Sequence, residues 1–263
     1  MDRVIILGAR GSVPVSSASH SRYGGATTCV LLRLGGQYAV LDAGTGLIGL
    51  PPELLAEPEL PVLLTHLHID HLLGLPLCPY LFGRPDARMT IYSGVHEGIG
   101  AREALSRLYS PPLWPVALSE RLTFRALEPD FSIGALRVET LPGVHPNGVN
   151  ILRLSAGGKC VVFATDCTLT DALLPTLTEF ARGCDLLLCD GQYSDAEFAR
   201  RAGFGHCSWH MAADLASRCG AKAFRVIHHD PGHDDAFLEE EDRELRRICP
   251  TGGAARQGEE IAL

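Results

Sequence analysis

No apolar stretch in this sequence approaches the ~18 consecutive residues needed to cross a bilayer, which excludes an integral membrane protein. The apolar run at the N-terminus, Val4-Ile5-Ile6-Leu7, is too short for a secretory leader, so the expectation is a cytoplasmic protein. There is no C-x-x-C pair. The nine cysteines are odd in number, and several sit inside apolar runs such as Asp185-Leu186-Leu187-Leu188-Cys189, where a thiol packs as a small hydrophobe in a reducing compartment. No run of Lys or Arg exceeds a pair such as Arg246-Arg247, and the formal net charge is −8; both argue against a long polyanion such as a large RNA as the main partner. A small anion at a local positive site stays compatible with that balance. No low-complexity linker interrupts the 263 residues, of which 46% are hydrophobic, so residues 1–263 are read as one domain with a real core.

Short β-rich apolar runs recur along the chain: Val4–Leu7, Cys29–Leu34, Tyr38–Leu41, Val62–Leu64, Met89–Tyr92, Leu122–Leu127, Leu136–Thr140, Asn150–Leu154, Cys160–Ala164, Asp185–Cys189 and Phe224–Ile227. Helical patterns lie between them at Glu97–Tyr109, Asp171–Ala181 with Asp171 as a first-turn acid, Ser208–Cys219 ending at Gly220, and Ala236–Ile248 stopping before Pro250. Early hairpins give way to strand and helix alternation in each half. The pattern predicts two sheets packed face to face with helices outside, each half supplying one sheet. Residues 74–90 and 109–120, rich in Pro and Gly, are expected to be surface loops.

The chemistry concentrates in Thr65-His66-Leu67-His68-Ile69-Asp70-His71, directly after the apolar run Pro61-Val62-Leu63-Leu64. In an extended segment side chains alternate, so His66 and His68 project to one side, while Asp70 and His71 fall where the chain turns away. Imidazole nitrogen and carboxylate oxygen in this density suit two adjacent borderline divalent cations, Zn²⁺ first, with Mn²⁺ and Fe²⁺ also open.

These residues resemble the H-x-H-x-D-H motif of the metallo-β-lactamase superfamily, which implies an α/β (α+β) fold, the four-layer αββα sandwich. Three further elements follow in the order that the resemblance implies: Gly143-Val144-His145-Pro146, Phe163-Ala164-Thr165-Asp166 and Val226-Ile227-His228-His229-Asp230. Within the superfamily the likeness is to the phosphodiesterase branch that contains ribonuclease Z and small cyclic-phosphodiester hydrolases. Leu188-Cys189-Asp190 is similar to that branch's strand ending in an acid, with Asp190 standing where ribonuclease Z commonly has Glu. Gly205-His206-Cys207-Ser208 is similar to its His-Ser-Thr helix start. Placing His206 on that histidine brings His228 onto the family's last metal ligand, in preference to His229, which would then be an outer or substrate-facing group.

Carried over, the resemblance implies that His66, His68 and His145 hold one metal, that Asp70, His71 and His228 hold another, and that Asp166 bridges both. Asp70 is thereby placed in the catalytic set as well. Plainer alternatives are a turn histidine at His145 and a helix N-cap at Asp166. Two such cations lower the pKa of a water and stabilise charge on phosphoryl oxygens. His206, held by Asp190, would protonate a leaving alkoxide, the alternative being a cap for the helix that follows. The expected substrate is a small or nucleotide-derived phosphodiester. A lactone or thioester hydrolase, or a non-catalytic metal-bound sensor, is the alternative, and a homodimer is expected from resemblance only. Arg10, Arg22 and His233 are weaker candidates for substrate contact, each more easily read as solvent-facing, and His210 is assigned to surface or packing. The glycine strings 8–11, 24–25 and 44–46 are read as tight turns near the site.

Overall fold

The structure is a computed structural model that describes residues 1–263. Its first half contributes β1 (Arg3–Gly8), β2 (Cys29–Leu34), β3 (Gln37–Leu41), β4 (Glu59–Leu64), α1 (Pro79–Gly83), β5 (Arg88–Ser93), α2 (Ala101–Leu108) and β6 (Leu122–Ala126). The second contributes β7 (Asp130–Ile133), β8 (Leu136–Gly143), β9 (Val149–Ala156), β10 (Lys159–Ala164), α3 (Leu174–Phe180), β11 (Leu186–Asp190), α4 (Asp195–Arg201), α5 (Trp209–Cys219), β12 (Phe224–Ile227), α6 (Asp235–Ile248) and a last short strand, β13 (Glu260–Ala262).

The strands form two mixed sheets, in the orders β13-β1-β2-β3-β4-β5-β6 and β12-β11-β10-β9-β8-β7. The division by halves therefore holds except at one edge, where β13 crosses back to pair antiparallel with β1. Alternation along each strand splits its residues between two layers. On β2, Val30 and Leu32 face the space between the sheets, where they meet Val161 and Phe163 of β10 and Leu186 and Leu188 of β11. Leu31 faces outward with Val40 and Val62, against Leu81 of α1, Leu105 of α2 and the turns around them. Val162 and Ala164 likewise face outward, against Leu177 of α3 and Trp209, Ala212 and Ala216 of α5. Strands buried on both faces explain why so many read as continuous apolar runs. All nine cysteines are free thiols, and eight are buried as packing residues.

Several boundaries differ from the sequence expectation, each for a local reason. Residues 74–90 are not a surface loop. Leu75, Cys78, Tyr80, Leu81 and Ala87 are buried, and Pro79 opens α1, where its missing N–H costs nothing. The helix expected from Glu97 begins at Ala101, because Gly98 and Gly100 hold the preceding turn out of it. Pro175 confines α3 to a start at Leu174, so Asp171 lies before the helix. Tyr109, at the head of the second expected loop, is buried and donates its hydroxyl to the Leu72 carbonyl at 2.7 Å. The strands β7 and β13 and the helix α4 were not expected; all three are short, β7 is held in a hairpin with β8, and β13 takes its register from β1 at the other end of the sequence.

All the strands that end at the site do so on the same edge. β3, β4, β5 and β6 run parallel, as do β10, β11 and β12, and β1 and β8 share those directions through antiparallel partners between them. The loop after β12 is pinned to that edge through α4. Ser194 and Glu197 form a reciprocal cap at its start, and Glu197 also accepts from His233 Nε2 at 3.0 Å. Against the opposing effect of burial, His233 and the Ser194 amide and hydroxyl hold the Glu197 carboxyl down to about 2. A depressed carboxyl contributes stability above its unfolded pKa and loses it as pH falls through the folded one. Glu197→Gln should therefore unfold at lower urea than wild type at pH 7, with the gap closing between about pH 4.5 and 2. A gap independent of pH would show that the charge contributes nothing.

Candidate functional site

Seven of the nine residues singled out from the sequence follow the strand ends: His66, His68, Asp70 and His71 after β4, His145 after β8, Asp166 after β10 and His228 after β12. Asp190 closes β11, and His206 lies two residues before the N-cap of α5, Ser208. The His66 and His68 rings lie 4.5 Å apart, on one side of the extended segment as alternation requires. Asp70 and His71 occupy a short 3₁₀ turn, Ile69–His71.

The outer nitrogen of each clustered imidazole is engaged by an acceptor. His66 Nδ1 donates to Thr65 Oγ1 (3.1 Å), His71 Nδ1 to Asp42 Oδ2 (2.8 Å) and His145 Nδ1 to the Gly205 carbonyl (2.9 Å). His228 Nδ1 donates to Gln192 Oε1 (3.1 Å) and His68 Nε2 to Asn147 Oδ1 (3.2 Å). The two amides are oriented by their other partners, since Gln192 Nε2 donates to Asp230 and Asn147 Nδ2 to Glu97. A neutral imidazole that donates outward presents a lone pair inward, the arrangement that orients histidine toward a cation.

The inner nitrogens are short of partners. His66 Nε2 and His71 Nε2 are buried with no hydrogen bond. His68 Nδ1 and His145 Nε2 face each other at 3.1 Å, two lone pairs with no proton between them in the neutral tautomers. Ligand atoms of His66, His68 and His145 lie within 4.8 Å of one another, as do those of Asp70, His71 and His228. Asp166 groups with His66 and His71 in the same way, and with Asp190, His206 and His228. These donor sets fit divalent cations, which would satisfy the orphaned lone pairs together with the carboxylates.

Charge within the cluster is divided unevenly. Burial alone would raise Asp70 and Asp166, yet His71 and His228 hold both carboxyls well below the usual range. Conversely, burial opposes protonation of His71 and His228, but the adjacent carboxylates push His71 well up and His228 to about 10. Burial pushes His66 and His145 down. Protonation of the Asp70-side imidazoles therefore competes with the binding of a cation at the same nitrogens.

Beside the cluster, His206 Nδ1 lies 2.8 Å from Asp190 Oδ2, so the shorter acid reaches its histidine. Asp190 is fully buried and also accepts from the amides of Asp166, Gln192 and Cys207, at 3.0, 3.2 and 3.0 Å. The His206 ring stacks on His228 with centroids 4.8 Å apart. Asp70, His68, His145, Asp166, His206 and His228 line one cavity of about 290 Å³, with Ser12, Pro146 and Phe204 at its walls.

The sequence reading missed Asp42. This fully buried acid takes His71 Nδ1 and both the amide and hydroxyl of Thr65. Its signal was present: like Asp166 and Asp190, it is an acid at the end of an apolar strand. Ser12, whose amide donates to Asp70 Oδ2 at 2.7 Å, had no side-chain signal at all.

Three secondary expectations are corrected, those for His229, Arg10 and His233, and those for Arg22 and His210 agree with the structure. His229 is neither substrate-facing nor exposed, because its ring turns from the cluster to donate Nε2 to the Ala255 carbonyl at 2.9 Å. Arg10 and His233 are buried rather than solvent-facing, with Arg10 bonded to the carbonyls of Gly24, Asp230 and His233. Arg22 is exposed and pairs with Glu239. His210 lies on α5 between Asp195 and Glu244, as a surface assignment requires.

The family model described as a beta-lactamase superfamily domain matches residues 38–229, a span that contains every clustered histidine. The chain belongs to the metallo-β-lactamase superfamily, as a metal-dependent hydrolase resembling ribonuclease Z. Ribonuclease Z of Lachnoclostridium phytofermentans is 24% identical over 99% of this chain and 97% of its own length. The metallo-beta-lactamase fold protein YhfI of Bacillus subtilis superimposes with a TM-score of 0.74 at 21% identity, covering 99% of this chain and 98% of that one. A diphosphatase from the PhnP family gives 0.68 at 18%, covering 99% and 96%. At these identities the structural likenesses show the fold.

Asp42→Asn tests the outer layer. An amide in this place has one acceptor oxygen where three donors converge, so His71 loses its fixed tautomer. Affinity for Zn²⁺, measured by competition with a chelator, should fall about 10–100-fold while far-ultraviolet circular dichroism stays native. Unchanged affinity would remove Asp42 from the metal-holding apparatus.

Proposed function

We propose that this protein is a phosphodiesterase for a small or nucleotide-derived phosphodiester, built around two divalent cations, with Zn²⁺ preferred. His66, His68 and His145 would hold one cation and Asp70, His71 and His228 the other, with Asp166 offering its carboxylate to either. The observation that carries this reading is the convergence of five inward lone pairs and two carboxylates beside an independent His206–Asp190 pair. The names of similar proteins, ribonuclease Z and a PhnP-family diphosphatase, agree with phosphoester chemistry. Bound there, divalent cations supply Lewis acidity, making hydroxide available near neutral pH and offsetting phosphoryl charge.

The chain's own residues do the rest. Hydrolysis of a phosphodiester leaves an alkoxide that needs a proton, and His206 is placed to supply it. Asp190 accepts from Nδ1, so in the imidazolium form Nε2 would carry the transferable proton. Four donors fix Asp190, which keeps the imidazole in one orientation. The Ser12 amide holds Asp70 against the opposite wall of the same cavity.

Metal content and turnover of bis(p-nitrophenyl) phosphate, a thioester and a lactone should be compared after chelation and after adding back Zn²⁺ or Mn²⁺. About two metals per chain with preferential phosphodiester turnover is expected. Preference for the thioester or lactone would move the reaction to carbonyl chemistry at the same centre. His68→Ala should abolish metal-dependent turnover in a folded protein, and full activity in this variant would sink the ligand assignment. His206→Ala should slow hydrolysis of a poor alkoxide leaving group by about 10²–10⁴-fold and p-nitrophenolate release far less. Equal losses for both would count against His206 as the acid.

A further inference from the structure

A second cavity, of about 200 Å³, opens on the other side of His68 from the one that His206 lines. Its walls are His66, Leu67, His68, His96, Glu97, Ile99, Ala104, Asn147 and Gly148. Two loops meet over it, one after β5 and one after His145. Glu97 and Asn147, one from each, are non-glycine residues in left-handed backbone, at φ of 51° and 65°. Such a conformation is costly for a residue with a Cβ and persists only where its surroundings over-determine it. Here the restraint is mutual: Asn147 Nδ2 donates to Glu97 Oε1 at 3.3 Å, and His96 Nδ1 lies 3.2 Å from the Asn147 carbonyl. Asn147 Oδ1 in turn takes His68 Nε2, so the two loops are tied to the proposed metal-holding residues.

The open polar groups of this cavity are of one kind. His96 gives its Nδ1 proton to a carbonyl, which leaves Nε2 an acceptor, buried and without a partner. Glu97 brings an acceptor-only carboxylate, which repels a phosphoryl group and attracts N–H and O–H donors. Leu67, Ile99 and Ala104 supply apolar surface beside these acceptors. The volume falls below the ~300–1,000 Å³ that encloses a whole small ligand, so it suits one arm of a molecule held elsewhere.

We propose that this cavity is the subsite for the uncharged arm of the ester, and that the arm is a nucleoside, whose ring packs on Leu67 and Ile99 while its amine or hydroxyl groups donate to Glu97 and His96. The inference deepens the phosphodiesterase reading and rests on it only for where the phosphoryl group sits. Asn147 is a positioning residue, acting through His68 and Glu97.

The test compares kcat/KM of the Zn²⁺-loaded protein for adenosine 5′-(p-nitrophenyl phosphate) and methyl p-nitrophenyl phosphate, which share a leaving group and differ in the arm. Wild type should prefer the nucleoside ester. Glu97→Leu, which removes the acceptor, and Ile99→Trp, which fills the space, should each cut that preference about 10–100-fold, the range for a hydrogen bond to a charged group. A preference that both variants retain overturns the subsite and leaves the phosphodiesterase reading standing. If neither ester is turned over, that reading fails, and calorimetric titration with adenosine decides the subsite by itself. Saturable binding weakened by both substitutions supports it; no binding to wild type, or binding that neither substitution changes, overturns it.

Discussion

The outward hydrogen bond made by each clustered imidazole is the constraint on which the rest of this structure depends. A buried histidine can present either nitrogen, and its partner decides which. Here Thr65, Asp42, Gly205, Gln192 and Asn147 make that choice for five rings, always in the direction that leaves a lone pair at the centre. The inner nitrogens of His68 and His145 oppose each other at 3.1 Å, while the carboxylates beside His71 and His228 favour their protonation, in competition with a cation. Removing polar groups from water without partners costs several kcal/mol apiece, so an arrangement that keeps them unpartnered is organised for something that binds them.

The fold meets this demand by ending nine strands on one edge and bending the backbone sharply there. Asp42, Asp166 and His228 all follow parallel strands and all adopt left-handed backbone, at φ of 56°, 52° and 68°. That conformation turns each side chain back over the strand end instead of letting it continue the alternation. Glycine makes room for the same crowding. A Cβ at Gly11 would lie 2.2 Å from the His228 ring, and one at Gly205, itself at φ of 91°, would lie 2.2 Å from His145 Nδ1. The glycines that read as simple turns in the sequence are also points of close approach to these rings.

The sequence made the central layer of the site legible because its residue types have few other uses at that density. H-x-H-x-D-H marks its own place, and Asp166, Asp190 and His228 stand at the ends of apolar runs that could be read as strands. The outer layer was less legible, since its meaning lies in contacts across long separations. Asp42 meets His71 from 29 residues away, and Asn147 meets His68 from 79. Alternation identified the sheets for the same reason that it misjudged residues 74–90: local composition reports punctuation, whereas burial depends on which sheet face lies beneath. Leu75, Tyr80 and Leu81 are covered because the outward faces of β2, β3 and β4 require a cover.

His228 and His229 show how a choice between neighbours is settled by backbone rather than by chemistry. The two side chains point in opposite directions, and the backbone of His229 is fixed on both sides by β1, its amide donating to the Ala9 carbonyl and its carbonyl accepting from Gly11. Arg10, buried between them, reaches past that ladder to the carbonyls of Asp230 and His233 and so clamps the whole turn after β12. Burying a guanidinium is expensive and lowers its pKa, an expense borne here by three carbonyl partners. With the turn held in this way, His229 has its Nε2 committed to the Ala255 carbonyl, and His228 alone can enter the cluster. The residue that fixes the last histidine of the site thus lies at the other end of the sequence, just after β1, in a segment whose visible features were glycines and one arginine.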